Sequence, residues 1–459
     1  MSALSYALDL TEGQPMGHSV RSCILGMRIA AEIGLEIETK GNLYYALLMK
    51  DAGCSSNASR LYQLFESDEI QAKRDVKVTD WTRVTYESLQ FAFSHVRSGK
   101  PWCERMAGLL KVAAHHDRNS RQMVQIRCER GATIARRIGM TEDTAQAILC
   151  LDEHWNGRGH PDGLQGGQIP VLARIMSLCQ TLEVFCARRG PGAAIQMAQE
   201  RSGRWFDPQL VRAAAALAKR GALWGGLYED DVKERAIEME PFGRFLIADE
   251  PRLDDICEAF AEVIDAKSPF TYQHSTGVAR AAVSIAHGLD FSPRDVTMIR
   301  RAALLHDIGK LSVPNSILEK PGKPTEAEWE VIRRHPYYTQ QILQKISGFE
   351  ELTYVASSHH ERLDGAGYFL GLTASDLTLP ARIICVADVF DALAAKRPYR
   401  DALPLETVYR IMRKDTPHAL DPQCFETLVR ATPADGLPET LCTDPALLSA
   451  VASAVNRVF

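Results

Sequence analysis

The feature that most constrains this chain is that it reads nearly the same stretch twice. Gly17-His18-Ser19-Val20-Arg21 resembles Gln273-His274-Ser275-Thr276-Gly277, and Ala46 to Cys54 resembles Ala302 to Lys310. Both matches share one offset, since 274 minus 18 and 307 minus 51 are each 256. Farther on, Asn156-Gly157-Arg158-Gly159-His160 matches Asp364-Gly365-Ala366-Gly367-Tyr368, and Phe206-Asp207-Pro208-Gln209 matches Leu420-Asp421-Pro422-Gln423. The offset at Gly157 is 208, so the first copy carries 48 more residues between Asp51 and Gly157. A repeat of this length predicts two related domains, and 459 residues is enough for two. We expect a first domain over 1–235, with its insertion in about 55–120, and a second over 236–459. Gly225-Gly226 and the charged run Glu229 to Arg235 read as the connection.

Both copies read as helical. Leu25, Ile29, Ala30 and Ile33 fall at three- and four-residue spacing, as do Val331, Ile332, Ile342, Leu343 and Ile346. Alternating strand-like runs are few, so the expected fold class is all-α. The formal net charge of -5 and the lack of a basic tract give no reason to expect DNA or RNA as a partner. No stretch is apolar for the length of a membrane span. The start has no basic segment followed by an apolar core, and the 11 cysteines form no CxxC pair. Together these lead us to expect a cytoplasmic chain with reduced thiols.

The chemistry concentrates in the second copy. His306 and Asp307 are adjacent within Leu304-Leu305-His306-Asp307-Ile308-Gly309-Lys310. A carboxylate beside an imidazole suits a divalent metal, and Lys310 adds a cation about one helical turn away. Further candidate ligands are His274, His335, the pair His359-His360, and Asp388. Asp388 lies inside the apolar run Ile384 to Phe390, where a carboxylate needs a partner or an ion. Imidazole and carboxylate donors without thiolate fit iron, manganese or zinc rather than a structural zinc site. Asp307 is the natural bridge between two ions. We expect no buried carboxylate to partner His154 and His160 of the first copy, and we read them as surface histidines.

These motifs, in order, resemble the HD-GYP family of HD phosphohydrolases. The match runs from about Asp265 to Asp421: LLHDIGK, His335-Pro336, HHERLDGAGY, PARIICVADVFDAL and Lys396-Arg397-Pro398-Tyr399-Arg400. The resemblance implies two tandem HD-type helical domains and two divalent metal ions, iron or manganese. The implied activity is hydrolysis of a cyclic dinucleotide, cyclic di-GMP by family default with 3′3′-cyclic GMP-AMP as the alternative, to the linear dinucleotide or mononucleotides. His274, His306, Asp307, His335, His359, His360 and Asp388 match the family's metal ligands. Lys310, Arg397 and Arg400 match its phosphate-contacting positions, and Gly365, Gly367 and Tyr368 its named loop. Asp307 and Lys310 would carry the catalysis.

Two departures from the family pattern stand out. Phe369 replaces the proline of the named loop, which opens the question of base preference. Phe270 stands where members with three metals carry a glutamate, which favours two ions. In the first copy Lys50 stands at the position of His306, Cys54 at Lys310, Arg127 at His335, Leu151-Asp152 at His359-His360, and Gln180 at Asp388. Only His18 and Asp51 remain, so this copy is expected to be non-catalytic. Its expected role is to bind a regulatory ligand, to form a homodimer, or to cover an apolar face. The rival readings of the whole are a cyclic-dinucleotide receptor without turnover and a phosphohydrolase of another nucleotide.

Overall fold

The computed structural model describes residues 1–80, 86–97, 101–114, 116–241, 249–271, 273–395 and 401–432. Among them the regular structure is α-helical with short 3-10 turns, and the only β pairing is three isolated bridges. None of these helices is long and apolar enough to cross a membrane. The expectation of an all-α fold holds.

The chain divides into two compact units, Met1–Asp255 and Ile256 onward, with Pro314–Ser316 grouping with the first. The division lies later than the 235/236 boundary read from the sequence. The helix Val232–Glu238 packs against the His18–Glu32 helix and so belongs with the first unit. The charged run read as a connection is therefore partly a packed helix.

In the first unit, α1 (Ser2–Thr11), α2 (His18–Glu32), α3 (Ile37–Met49) and α5 (Val171–Glu200) enclose the core. Residues 2–11 place Leu4, Ala7 and Leu8 on one buried face. Among its described residues the insertion includes the helices Ala58–Phe65, α4 (Glu69–Val76), Tyr86–His95 and Trp102–Ala114. In the second unit, α6 (His274–Gly288) packs on α7 (Pro293–Leu305) and α11 (Leu379–Ala394). Around them run α8 (Glu326–Arg333), α9 (His335–Leu343) and α10 (Glu350–Ser357).

The repeat is legible in the contacts as well as the letters. Asp9 Oδ1 accepts from Ser19 N and Oγ at 2.9 and 2.7 Å; Asp265 Oδ1 accepts from Ser275 N and Oγ at 3.2 and 2.7 Å. Each carboxylate pins the start of the helix that carries the first histidine, His18 or His274. Arg174 reaches Asp207 at 2.8 Å as Arg382 reaches Asp421 at 2.9 Å. A Cβ on Gly53 would stand 1.9 Å from Arg127 O, and one on Gly309 1.9 Å from His335 O. Both glycines are thus required by the same close helix approach. That pair also supports aligning Arg127 with His335.

Candidate metal centre

Three of the second unit's histidines sit at helix ends, and helix ends determine their chemistry. His306 directly follows α7, His335 follows α8 and opens α9, and His359 lies just past α10. The last carbonyls of a helix have no partner within it. Ala303 O, Ile332 O and Ala356 O each accept from the Nδ1 of the histidine three residues on, at 2.7 Å in all three cases. A carbonyl only accepts, so Nδ1 carries the hydrogen and the lone pair of each neutral ring is left on Nε2. Those Nε2 atoms turn inward.

They converge on Asp307, which is fully buried. Its Oδ1 lies 3.3 Å from His335 Nε2 and 3.5 Å from His359 Nε2. Its Oδ2 lies 3.4 Å from His306 Nε2 and 3.7 Å from His274 Nε2. The donors fall into two groups, Asp307 with His335, His359 and His360, and His274 with His306 and Asp388. Asp307 therefore turns one oxygen toward each group. Asp388 enters from α11, with Oδ1 3.1 Å from His274 Nε2 and Oδ2 3.9 Å from His360 Nδ1. All seven residues expected as ligands are brought together and buried.

The charge state matches this arrangement. Burial draws His359 down to about 4, and it also lowers His335 and His360, so these rings are neutral at pH 7 with free lone pairs. Burial opposes ionisation of Asp307, but His306 and Lys310 outweigh it and hold the carboxyl well below its ordinary range. Asp388 is likewise held low against burial, chiefly by the His274 hydrogen bond. His274 differs. Burial would lower it, yet Asp388 and Asp391 raise it to about 9, so an ion arriving there displaces a proton.

Direct geometry shows that these residues fit metal ions. His335 Nε2 and His359 Nε2 face each other at 3.0 Å, lone pair to lone pair. His306 Nε2, Asp307 Oδ1 and His360 Nδ1 are buried without a hydrogen-bond partner. Acceptors clustered this way with no donors between them are satisfied by a cation.

Lys310 donates to Asp307 Oδ2 at 2.6 Å from the partly open side of the cage. Tyr368 lays its ring against His360, with centroids 4.7 Å apart, and its hydroxyl is buried and has no partner. Gly367 is required by packing, because a Cβ there would stand 2.5 Å from Glu361 Cα. The Glu361 carboxylate holds the same loop by accepting from Leu370 N at 2.7 Å and Leu372 N at 2.9 Å. Arg397 and Arg400 lie outside the described residues.

Sequence reasoning missed Asp391. Its Oδ2 accepts from His274 Nδ1 at 2.7 Å, which orients that ring as the carbonyls orient the other three. The available signal was the spacing, since Asp388 and Asp391 lie three apart on one face of α11. A Cβ on Gly277 would stand 1.8 Å from Asp391 Oδ1, so the glycine makes room for the carboxylate.

The first unit keeps the outline of this centre but has lost most of its donors. Glu183 takes the Asp391 position and pairs with His18 Nδ1 and with Arg21, which stands where Gly277 stands. Lys50 bonds Asp51, and Arg127 pairs with Asp152. The surface reading of His154 is corrected. It is buried and stacks on Trp205, with centroids 4.4 Å apart, because the chain brings in a tryptophan from 51 positions away. His160 is half-buried.

Known proteins resemble this chain over most of its length. The family model described as "HD domain" matches residues 104–210 and 258–424. The chain is 41% identical over 431 residues to "3'3'-cGAMP-specific phosphodiesterase 3" of Vibrio cholerae serotype O1, covering 94% of this chain and 93% of that one. It is 35% identical over 162 residues to "Cyclic di-GMP phosphodiesterase" of Thermotoga maritima, covering 35% and 44%. Among solved structures, it resembles the crystal structure of a cyclic GMP-AMP specific phosphodiesterase of V. cholerae (V-cGAP3), with a TM-score of 0.64 and 38% identity over 95% of this chain and 97% of that one.

Proposed function

The chain belongs to the HD domain family, in its HD-GYP branch with a degenerate first copy, and from that premise we propose that it is a metal-dependent phosphodiesterase that opens 3′3′-cyclic GMP-AMP. The observation that carries the substrate reading is the extent of the likeness. Identity of 41% over 94% of the chain takes in the first unit and the insertion as well as the metal centre. Cyclic di-GMP is the second reading, favoured by relatives of that activity whose match covers 35% of this chain.

His335, His359, His360 and Asp307 would hold one divalent ion, and His274, His306 and Asp388, with Asp307 lying between the two groups, would hold the other. The donor set suits iron or manganese. When bound, such ions would supply Lewis acidity and a water activated at neutral pH. The protein's own groups do the rest. The helix-end carbonyls and Asp391 hold four imidazoles in register before substrate arrives, so little reorganisation is needed. Lys310 offers its ammonium group to the phosphoryl oxygens, exchanging its contact with Asp307 for one with substrate. The Tyr368 hydroxyl, buried beside His360, is placed to donate to a substrate oxygen. Gly367 lets that loop lie close enough to do so. Arg397 and Arg400 are proposed to contact the second phosphate, with guanidinium forks that suit its oxygens. A homodimer is a proposed partner arrangement for the first unit.

The test is a substrate panel. Protein loaded with manganese or iron is incubated with 3′3′-cyclic GMP-AMP, cyclic di-GMP and cyclic di-AMP, and linear and mononucleotide products are separated. Faster turnover of the mixed dinucleotide supports the proposal. Preference for cyclic di-GMP favours the second reading, and binding without product favours a receptor.

A further inference from the structure

The insertion of the first unit brings two lysines to the site where the repeat has lost its ligands. Lys73 lies in α4 and Lys77 directly follows it. Lys77 Nζ lies 2.8 Å from Glu12 Oε2 and 3.8 Å from Asp51 Oδ1. Lys73 Nζ lies 3.4 Å from Glu12 Oε1 and donates to Thr11 O at 3.1 Å and Cys54 O at 2.8 Å. Lys50, at the position of His306, bonds Asp51 on its other side. Glu12, Asp51, Lys50 and Lys73 are all buried. Carboxylates this deep stay ionised only with close positive charge or strong donors.

Two further observations indicate what that charge replaces. Asp51 is the counterpart of the bridging Asp307, and ligand atoms of Glu12, Asp51 and Cys54 lie within 4.8 Å of one another. His18, the counterpart of His274, is wholly buried; with Nδ1 on Glu183, its Nε2 has no hydrogen-bond partner. The first unit thus retains an acidic pocket of metal-site geometry and fills it with ammonium groups.

We propose that the insertion closes a vestigial metal site from within: Lys73 and Lys77 join Lys50 in supplying the positive charge that ions would supply, and Glu12, Asp51 and Cys54 form a latent divalent-cation site that these lysines hold shut. The first unit therefore needs no metal, and a strong ligand for divalent ions is kept out of competition with the second unit. Opposite charges at these distances in a buried setting interact far more strongly than at a surface, so the lock is stable.

The experiment uses the full chain. Lys77→Met is expected to lower the melting temperature, and adding Glu12→Gln to recover most of the loss, since removing both partners leaves no unpaired charge. Lys50→His combined with Lys77→Met restores an imidazole and vacates one ammonium position. It is expected to bind one more Mn²⁺ or Zn²⁺ per chain than wild type in equilibrium dialysis, and to gain melting temperature when the ion is added. The proposal is overturned if Lys77→Met melts with wild type, if Glu12→Gln deepens its loss, or if the folded double variant takes up no additional ion. Because the count is read as a difference from wild type, it stands apart from the second unit. Wild-type protein that bound no metal at all would sink the phosphodiesterase reading and leave this one intact.

Discussion

Asp307 gives each of its oxygens to a different set of imidazoles, and no neighbouring side chain can substitute for it. Asp307→Ala is expected to abolish turnover and to reduce bound metal from two ions to one or none, measured by elemental analysis of the purified variant. Asp391 acts one step removed. Asp391→Asn keeps the bulk but loses the carboxylate that holds His274, so the His274–His306–Asp388 group should lose about 10–100-fold in metal affinity. The other group should be unchanged, which shows as weakening of one step in a two-step metal titration. Gly277→Ala should act on the same step, because its Cβ collides with Asp391. Equal weakening of both steps would mean that Asp391 has only a structural role. At this scale the residues that cluster around Asp307 were legible because each lies in a motif of fixed spacing. Asp391 was not, because a carboxylate on a helix is ordinarily solvated and its partner is 117 residues away. His154 was misread for the same reason, since Trp205 joins it only in the fold.

Helices do more than carry the site. Three of them end so that a carbonyl orients a histidine, and two begin under an aspartate that grips a serine. The second device has a pH signature. Burial raises Asp9 to about 7 although Ser19 donates to it, whereas in an unfolded chain such a carboxyl titrates near 3.8. The folded first unit therefore keeps this proton while the unfolded chain releases it. The Asp9 contribution is greatest below about pH 4, falls as pH rises toward 7, and is flat above that, on the order of 4 kcal/mol across the window. His18, which burial lowers to about 4, titrates in the opposite sense over much of the same range, so wild type alone is not diagnostic. The informative quantity is wild type minus Asp9→Asn in thermal unfolding. That difference should shrink from pH 5 to pH 7 and then hold constant; a difference that grows with pH would contradict the burial argument. The helices themselves could be read from apolar spacing, and Thr141, Ser292 and Thr325 are ordinary side-chain caps. The clamping of a histidine by the carbonyl three residues back could not, since it depends on where a helix stops.

At the scale of the whole molecule, one helical plan is used twice, once with donors and once with lysines. The repeat predicted both units, and Asp9–Ser19 with Asp265–Ser275 shows how far the likeness persists. The boundary was less legible, because Glu229 to Arg235 has the charge of a linker while Ala236 is buried. The insertion read only as polar sequence, and the destination of Lys73 and Lys77 depends on contacts with Glu12 more than 60 positions earlier. The central claim is that donors spread along the second unit cage a pair of ions and that the first unit cages none. Anomalous diffraction from crystals grown with manganese tests it most directly. The account predicts two peaks beside Asp307, one toward His335 and His359 and one toward His274 and Asp388, with no peak near Asp51. A peak among Glu12, Asp51 and Cys54, or none beside Asp307, would contradict it.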